Sequence, residues 1–226
     1  MTHLAPALTG LPCFDTDQLC GMIAERGWAV MRLQDTGMLA ALREQVRSLS
    51  ESEALTPAGI GRADDHELTT RIRRDKTRWL DPGQETDRLY LDFAEDLRLS
   101  VNARLMLGLF AFEAHYAVYE PGAFYKQHVD SFRGARNRVL STVLYLNPDW
   151  SREDGGLLRI FDPESGVTEA EVLPEFGTLA AFLSEEIPHE VALSHRERFS
   201  IAGWHRCNDL GRAPALQART LPIAPS

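Results

Sequence analysis

The second half of the chain is broken into short β-type runs, and this punctuation constrains the fold more than any other feature of the sequence. FEAHYAVYEPG, NRVLSTVLYLNPDW, GGLLRIFD, GTLAAFL, HEVAL and RFSIAGWH are rich in β-branched and aromatic residues and are separated by Gly, Pro, Asn and Asp. Short strands in such succession predict an antiparallel sandwich or barrel rather than alternating β-α units. Helical periodicity is confined to the first half. DTDQLCGMIAERG predicts a short helix, with Asp15 or Thr16 as its N-cap and Gly27 as its stop. TGMLAALREQVRSLSES predicts a second, with Met38, Leu39, Leu42, Val46 and Leu49 at helical spacing. From Thr86 to about Leu107, the residues Leu89, Phe93, Leu97, Val101 and Leu105 mark one core-facing stripe of a third.

Between the second and third helices, PAGIGRADDHELTTRIRRDKTRWLDPG is polar, irregular and too long for an ordinary connection. It is expected to be functional, mobile or itself partly strand. Its basic cluster, Arg71, Arg73, Arg74, Lys76 and Arg78, reads most simply as a solvated face. A sharper alternative is a loop that grips an acidic partner or pairs internally with carboxylates. The residues after Cys207 are expected to form a poorly ordered tail.

A chain of 226 residues suits one domain with a substantial core. A net charge of −9 argues against nucleic acid as the main partner, since such binding neutralises phosphates with Lys and Arg. No window approaches the roughly eighteen apolar residues of a membrane span. The amino-terminal MTHLAPALTGLPCFDTDQ has no cationic region ahead of an apolar run, so no secretory signal is expected. Cys13, Cys20 and Cys207 are scattered, odd in number and without a C-x-x-C pattern, which fits a reducing cytoplasm.

The chemistry centres on YKQHVD. In a strand, His128 and Asp130 project to the same face, so an imidazole and a carboxylate can reach one divalent ion. Alone, H-x-D is a weak signal. His189, which follows Pro188 and opens an alternating apolar run, supplies a third candidate. Two His and one Asp with open positions form the facial triad of non-haem Fe(II) oxygenases. Zinc also accepts three such ligands, and the ligands alone leave the two metals open. Arg198, at the head of RFSIAGW, offers the planar fork that suits the far carboxylate of an iron-chelating dicarboxylate. Tyr145 in VLYLN could add a phenol hydrogen bond to the same oxygens. By period two, Arg198, Ser200, Ala202 and Trp204 share one face. His115, His195 and His205 read as structural or solvated residues rather than ligands.

The ordered set YxxGxxYxxHxD, YLNxDW, GGxLRIF, PHEV and R-x5-W resembles the 2-oxoglutarate- and Fe(II)-dependent prolyl hydroxylases. It is similar in particular to the branch of the animal hypoxia-inducible-factor prolyl hydroxylases and their bacterial relatives. The likeness runs from about Arg71 to His205, and RIRRDKTRWL resembles that branch's mobile substrate-covering segment. It implies a mainly β, α+β fold: a double-stranded β-helix (jelly-roll, cupin-like) at about 111–207, N-terminal helical support at about 12–110, and a flexible tail at 208–226. It implies His128, Asp130 and His189 as iron ligands, and Arg198 with Tyr145 on 2-oxoglutarate. Tyr119, Tyr125, Leu158, Val191 and Trp204 would line the cofactor pocket. Arg138, Asp75 and Arg73 would face the substrate, with Asp75 and Arg138 as a candidate pair.

The reaction implied is C4 hydroxylation of a prolyl residue in a protein by dioxygen, coupled to conversion of 2-oxoglutarate to succinate, with ascorbate as a possible support. Elongation factor Tu is a candidate partner by analogy with bacterial relatives, and the branch raises oxygen sensing as a role. Two alternatives stand beside this reading: the same chemistry on a free amino acid or other small metabolite, and a non-catalytic metal-binding jelly-roll sensor.

Overall fold

A computed structural model describes residues 14–34, 37–58, 71–131 and 138–207. Asp15 opens helix α1 (Thr16–Arg26), accepting the Gln18 N–H at 2.9 Å, and Gly27 ends it in the left-handed conformation at φ 80°. A Cβ at Gly27 would stand 2.8 Å from the Ile187 side chain, so both conformation and packing favour glycine there. Helix α2 (Met38–Glu51) buries the five apolar residues expected from its spacing. Helix α3 (Glu85–Leu105) buries Phe93, Leu97 and Val101 of the expected stripe, and Tyr90 and Asp87 with them. Among the described residues, no helix is long and apolar enough to cross a membrane.

The strands in chain order are β1 (Trp28–Arg32), β2 (Thr56–Pro57), β3 (Lys76–Trp79), β4 (Leu109–Tyr119), β5 (Tyr125–His128) and β6 (Arg138–Tyr145). There follow β7 (Leu158–Phe161), β8 (Thr168–Val172), β9 (Thr178–Leu183), β10 (His189–Val191) and β11 (Arg198–Cys207). They form a seven-stranded sheet, β1-β9-β6-β11-β4-β3-β2, and a four-stranded sheet, β5-β10-β7-β8, paired antiparallel throughout. This is the double-stranded β-helix, mainly β with helical support, that the strand punctuation and the resemblance led us to expect.

Period-two alternation sorts the large sheet into two chemistries. On one face, Ala114, Tyr116 and Val118 of β4, Leu140 and Leu144 of β6, Leu179 and Ala181 of β9, and Phe199 and Ile201 of β11 join the helices in the main core. Burying each large apolar side chain there contributes about 1.5–3 kcal/mol. On the other face, Arg198, Ser200, Ala202 and Trp204 of β11 line a cavity with His115, Ala117 and Tyr119 of β4. A second apolar cluster, including Tyr145, Leu158, Ile160 and Phe182, fills the space between the sheets.

Strands β1 and β8 escaped the sequence reading. Strand β1 is a five-residue edge strand with burial on both faces, so it lacks alternation; TEAEV of β8 is mostly exposed and held by its ladder to β7. The polar stretch before α3 is partly strand, as allowed for, through β2 and β3. Three of its five cations are paired internally rather than merely solvated. Arg73 meets Asp75, Lys76 meets Glu120 and Arg78 meets Asp87, correcting the simpler reading of the cluster. The remainder of that stretch, the linker at 132–137 and the tail after Cys207 lie outside the described residues.

Candidate metal centre and active site

The strand pairing of β5 with β10 places His128 directly opposite His189. Strand β5 ends at His128, so Asp130 does not reach the cluster by strand alternation, as expected from YKQHVD. It lies two residues beyond the strand end, where its backbone N–H donates to the Ser184 carbonyl at 3.1 Å. The ligand-capable atoms of His128, Asp130 and His189 nevertheless converge within 4.8 Å of one another. Asp130 Oδ1 is 3.5 Å from His128 Nε2 and 3.8 Å from His189 Nε2.

Each imidazole is oriented by its own backbone. His128 Nδ1 lies 2.8 Å from the Lys126 carbonyl, and His189 Nδ1 lies 3.0 Å from the Ile187 carbonyl. A carbonyl oxygen only accepts, so both Nδ1 atoms carry the hydrogen and both Nε2 lone pairs face the carboxylate. This is the second-layer arrangement that metal-binding histidines adopt. Burial works against the Asp130 charge, but His189, His128 and the Ser141 hydroxyl at 2.6 Å together hold its carboxyl below the usual carboxylate range. Burial pulls the His189 imidazole down to about 4, with Asp130 opposing, so the ring is neutral at pH 7. Tyr125 stacks on His128 at 3.6 Å between centroids, and Phe182 packs against His189 at 4.4 Å. The donor set, two imidazoles and one carboxylate, suits a divalent transition metal and leaves coordination positions open.

Arg198 lies in the same cavity, 1% exposed, between the ring faces of Tyr119 and Tyr145 at 4.9 and 4.8 Å. Its Nη1 donates to the Ser200 hydroxyl at 3.3 Å, whereas Nε, Nη2 and the Tyr145 hydroxyl are buried without a hydrogen-bond partner. Buried polar atoms are seldom left unpaired. Three unpaired donors on two neighbouring side chains of the cavity wall suit a carboxylate. Burial raises the Tyr145 phenol to about 12 against the opposing Arg198 charge, so it can donate at neutral pH. Gly156, at φ +65°, permits this arrangement: a Cβ there would stand 2.9 Å from the Arg198 Cδ.

The cavity measures about 580 Å³, an ordinary size for a small-molecule site. It brings together every site residue picked from the sequence: the three candidate ligands, Arg198, Tyr145, Tyr119, Tyr125, Leu158, Val191, Trp204, Arg138, Asp75 and Arg73. The candidate Asp75–Arg138 pair is not formed. Both Asp75 oxygens are taken by Arg73, at 2.7 and 2.5 Å, while Arg138 donates to Glu113 at 2.8 Å and stacks on Trp204 at 3.8 Å. Two contributors were missed. Ser141 bonds Asp130 and Ser184, and its inward position on β6 was readable from alternation with Tyr145. His115, read as structural, lines the cavity wall.

Comparison with known proteins gives a consistent picture. Residues 114–206 match the family model described as the 2OG-Fe(II) oxygenase superfamily. The crystal structure of a Pseudomonas putida prolyl-4-hydroxylase is 39% identical, with a TM-score of 0.76, the match covering 85% of this chain and 99% of that one. Human Egl nine homolog 1 is 30% identical over 205 residues, covering 86% of this chain and 45% of the relative. The chain spans about half the length of the curated relatives it matches. A Trichoplax adhaerens prolyl hydroxylase, solved with a hypoxia-inducible-factor peptide fragment, shares the fold at a TM-score of 0.76 and 22% identity, over 84% of this chain and 88% of its own.

Proposed function

The chain belongs to the 2OG-Fe(II) oxygenase superfamily, and on that ground we propose that it hydroxylates C4 of a prolyl residue in a protein substrate. One observation carries the reading. A His128–Asp130–His189 cluster shares a cavity with Arg198 and Tyr145, three of whose buried donor atoms (Arg198 Nε and Nη2 and the Tyr145 hydroxyl) have no protein acceptor. A structural metal site needs the first set and not the second.

His128, Asp130 and His189 would hold Fe(II). Nε and Nη2 of Arg198 with the Tyr145 hydroxyl would hold the far carboxylate of 2-oxoglutarate. With dioxygen, the loaded iron supplies the oxidising power for an unactivated C–H bond while 2-oxoglutarate becomes succinate and carbon dioxide. The remaining work is positional. Ser141 steadies Asp130 through the oxygen that does not face the histidines. Leu158, Val191 and Phe182 keep the cosubstrate end dry, and Tyr119 and Tyr125 close its sides. The Arg73–Asp75 pair, packed on Tyr125 with the guanidinium 4.5 Å from the ring, and Arg138 over Trp204 border the substrate end. No side chain is required as a general base.

The resemblance to prolyl hydroxylases, including one solved with a substrate peptide, supports a protein segment as substrate. A cytoplasmic setting accords with the free thiol of Cys20. The test is to incubate the purified protein with Fe(II), 2-oxoglutarate and ascorbate, first with elongation factor Tu and then with cell lysate, and to map one-oxygen mass gains. Gains on prolines accompanied by succinate support the reading. Gains on a free metabolite replace the protein substrate, and no succinate under any condition leaves a metal-binding sensor.

A further inference from the structure

One polar atom in the cavity wall is given no work by the reaction. His115 lies on β4, two residues before Ala117 and four before Tyr119, so its ring is on the cavity face. It is 5% exposed and packs against two indoles that also touch each other: Trp79 at 5.2 Å and 89°, and Trp204 at 5.3 Å and 56°, with 6.3 Å between the two. The register explains the placement. Trp79 of β3 is opposite His115 on one side and the small Ala202 of β11 on the other.

His115 Nδ1 lies 3.1 Å from the Tyr116 carbonyl, so Nδ1 carries the hydrogen and Nε2 presents a lone pair. Nε2 has no hydrogen-bond partner among the described residues and is not sealed from the cavity. Burial pulls this imidazole down to about 4, with Asp75 opposing, so the lone pair is available at neutral pH. A carboxylate at this place would attract cations; a neutral imidazole beside two indoles selects a neutral donor. An ammonium would find no free counterion either, because Asp75 is occupied by Arg73, and Glu113 by Arg138 and Arg206.

We propose that His115 Nε2 is a specificity-determining acceptor for the backbone N–H that follows the target proline. This rests on the prolyl reading above and deepens it. A prolyl residue has no N–H of its own. The nearest donor on its carbonyl side is therefore the amide of the next residue. Trp79 and Trp204 also pack on each other, with 6.3 Å between centroids, so the two indoles form one apolar wall beside the acceptor. A substrate lacking that N–H leaves Nε2 desolvated and unpaired, the situation in which polar sites reject analogues most strongly.

Two probes differing only in this hydrogen test the proposal: N-acetylproline methylamide and N-acetylproline dimethylamide. Wild-type protein is assayed first for Fe(II)-dependent succinate release with cell lysate as the source of substrate. Its absence fails the oxygenase reading itself. Its presence, with neither probe hydroxylated, fails the prolyl reading. With those satisfied, the methylamide is expected to show a KM at least about tenfold lower than the dimethylamide. His115→Met is expected to bring the ratio close to one. His115→Gln, whose carbonyl oxygen can accept, is expected to restore most of it. Equal KM values in wild type, or an undiminished ratio in His115→Met, overturn the proposal. A variant-free readout guards against misfolding. In protein loaded with Zn(II) and 2-oxoglutarate, the ¹⁵N resonance of His115 Nε2 should move with the methylamide and not with the dimethylamide. A purely structural histidine would respond to neither.

Discussion

Replacing Arg198 with Met should make the ligand-free protein more stable and abolish the stabilisation that 2-oxoglutarate confers. The guanidinium is 1% exposed, has one protein hydrogen bond at 3.3 Å, and has no carboxylate in ion-pair range among the described residues. Desolvating such a cation costs several kcal/mol even after relaxation, of the order of 3–5 kcal/mol. The two tyrosine faces return about 0.5–2 kcal/mol each. The difference between the central values leaves Met more stable by about 1.5 kcal/mol in the empty protein. For a chain of this size that raises the melting temperature by about 2–4 °C per kcal/mol. When a carboxylate occupies the space, Nε and Nη2 make charge-assisted bonds worth about 1.5–3 kcal/mol each. Losing both weakens 2-oxoglutarate binding by a factor of about 150 or more. The assay is thermal unfolding of both proteins under nitrogen with Mn(II), with and without 2-oxoglutarate at a hundredfold excess over the wild-type Kd, where wild type should gain about 2.7 kcal/mol. An Arg198→Met protein that melts lower when empty and keeps the full ligand-induced shift refutes the reasoning.

Other outcomes follow from neighbouring groups. Ser141→Ala removes the hydroxyl at 2.6 Å from Asp130 and should loosen metal binding about 10–100-fold in a chelator competition, with little change in fold stability. Asp75→Asn breaks a buried pair and leaves Arg73 uncompensated, which should cost about 3–5 kcal/mol in urea unfolding. His205 is buried with neither ring nitrogen partnered, and burial, then the nearby Arg98 charge, pull it down to about 4. Between about pH 6.5 and pH 4 the unfolded chain binds a proton that the folded one refuses, so the stability present above pH 6.5 is lost as pH falls, by up to about 1.4 kcal/mol per unit. His115 acts in the same direction, and His205→Leu should reduce the slope measured by urea unfolding at pH 7 and pH 5.

Much of this site was legible because its residues sit in strands of strict alternation. Once RFSIAGW is read as a strand, Arg198, Ser200, Ala202 and Trp204 must share a face, and the cavity contains all four. Other features had no local signature. Asp130 reaches the cluster from a bend fixed by the Ser184 carbonyl, a contact fifty-four residues distant along the chain. Asp87 lies within a helical stripe that reads as solvent-facing. It is buried because the Tyr116 hydroxyl, 2.7 Å away on β4, and the Asp81 N–H meet it.

By itself the sequence determined the class of fold, the caps of the first helix, and the inventory of ligands and carboxylate-binding donors, since period, turn chemistry and side-chain type are local properties. Only the tertiary structure decided which groups are spent and which are free. Asp75 is taken by Arg73 rather than Arg138, and three cations of the basic cluster are paired within the protein. Arg198 and Tyr145 keep unpaired donors, and His115 Nε2 faces the cavity with its lone pair unused. Pairing depends on which strands lie side by side and how far each group is removed from water, and neither is a property of any stretch of chain taken alone.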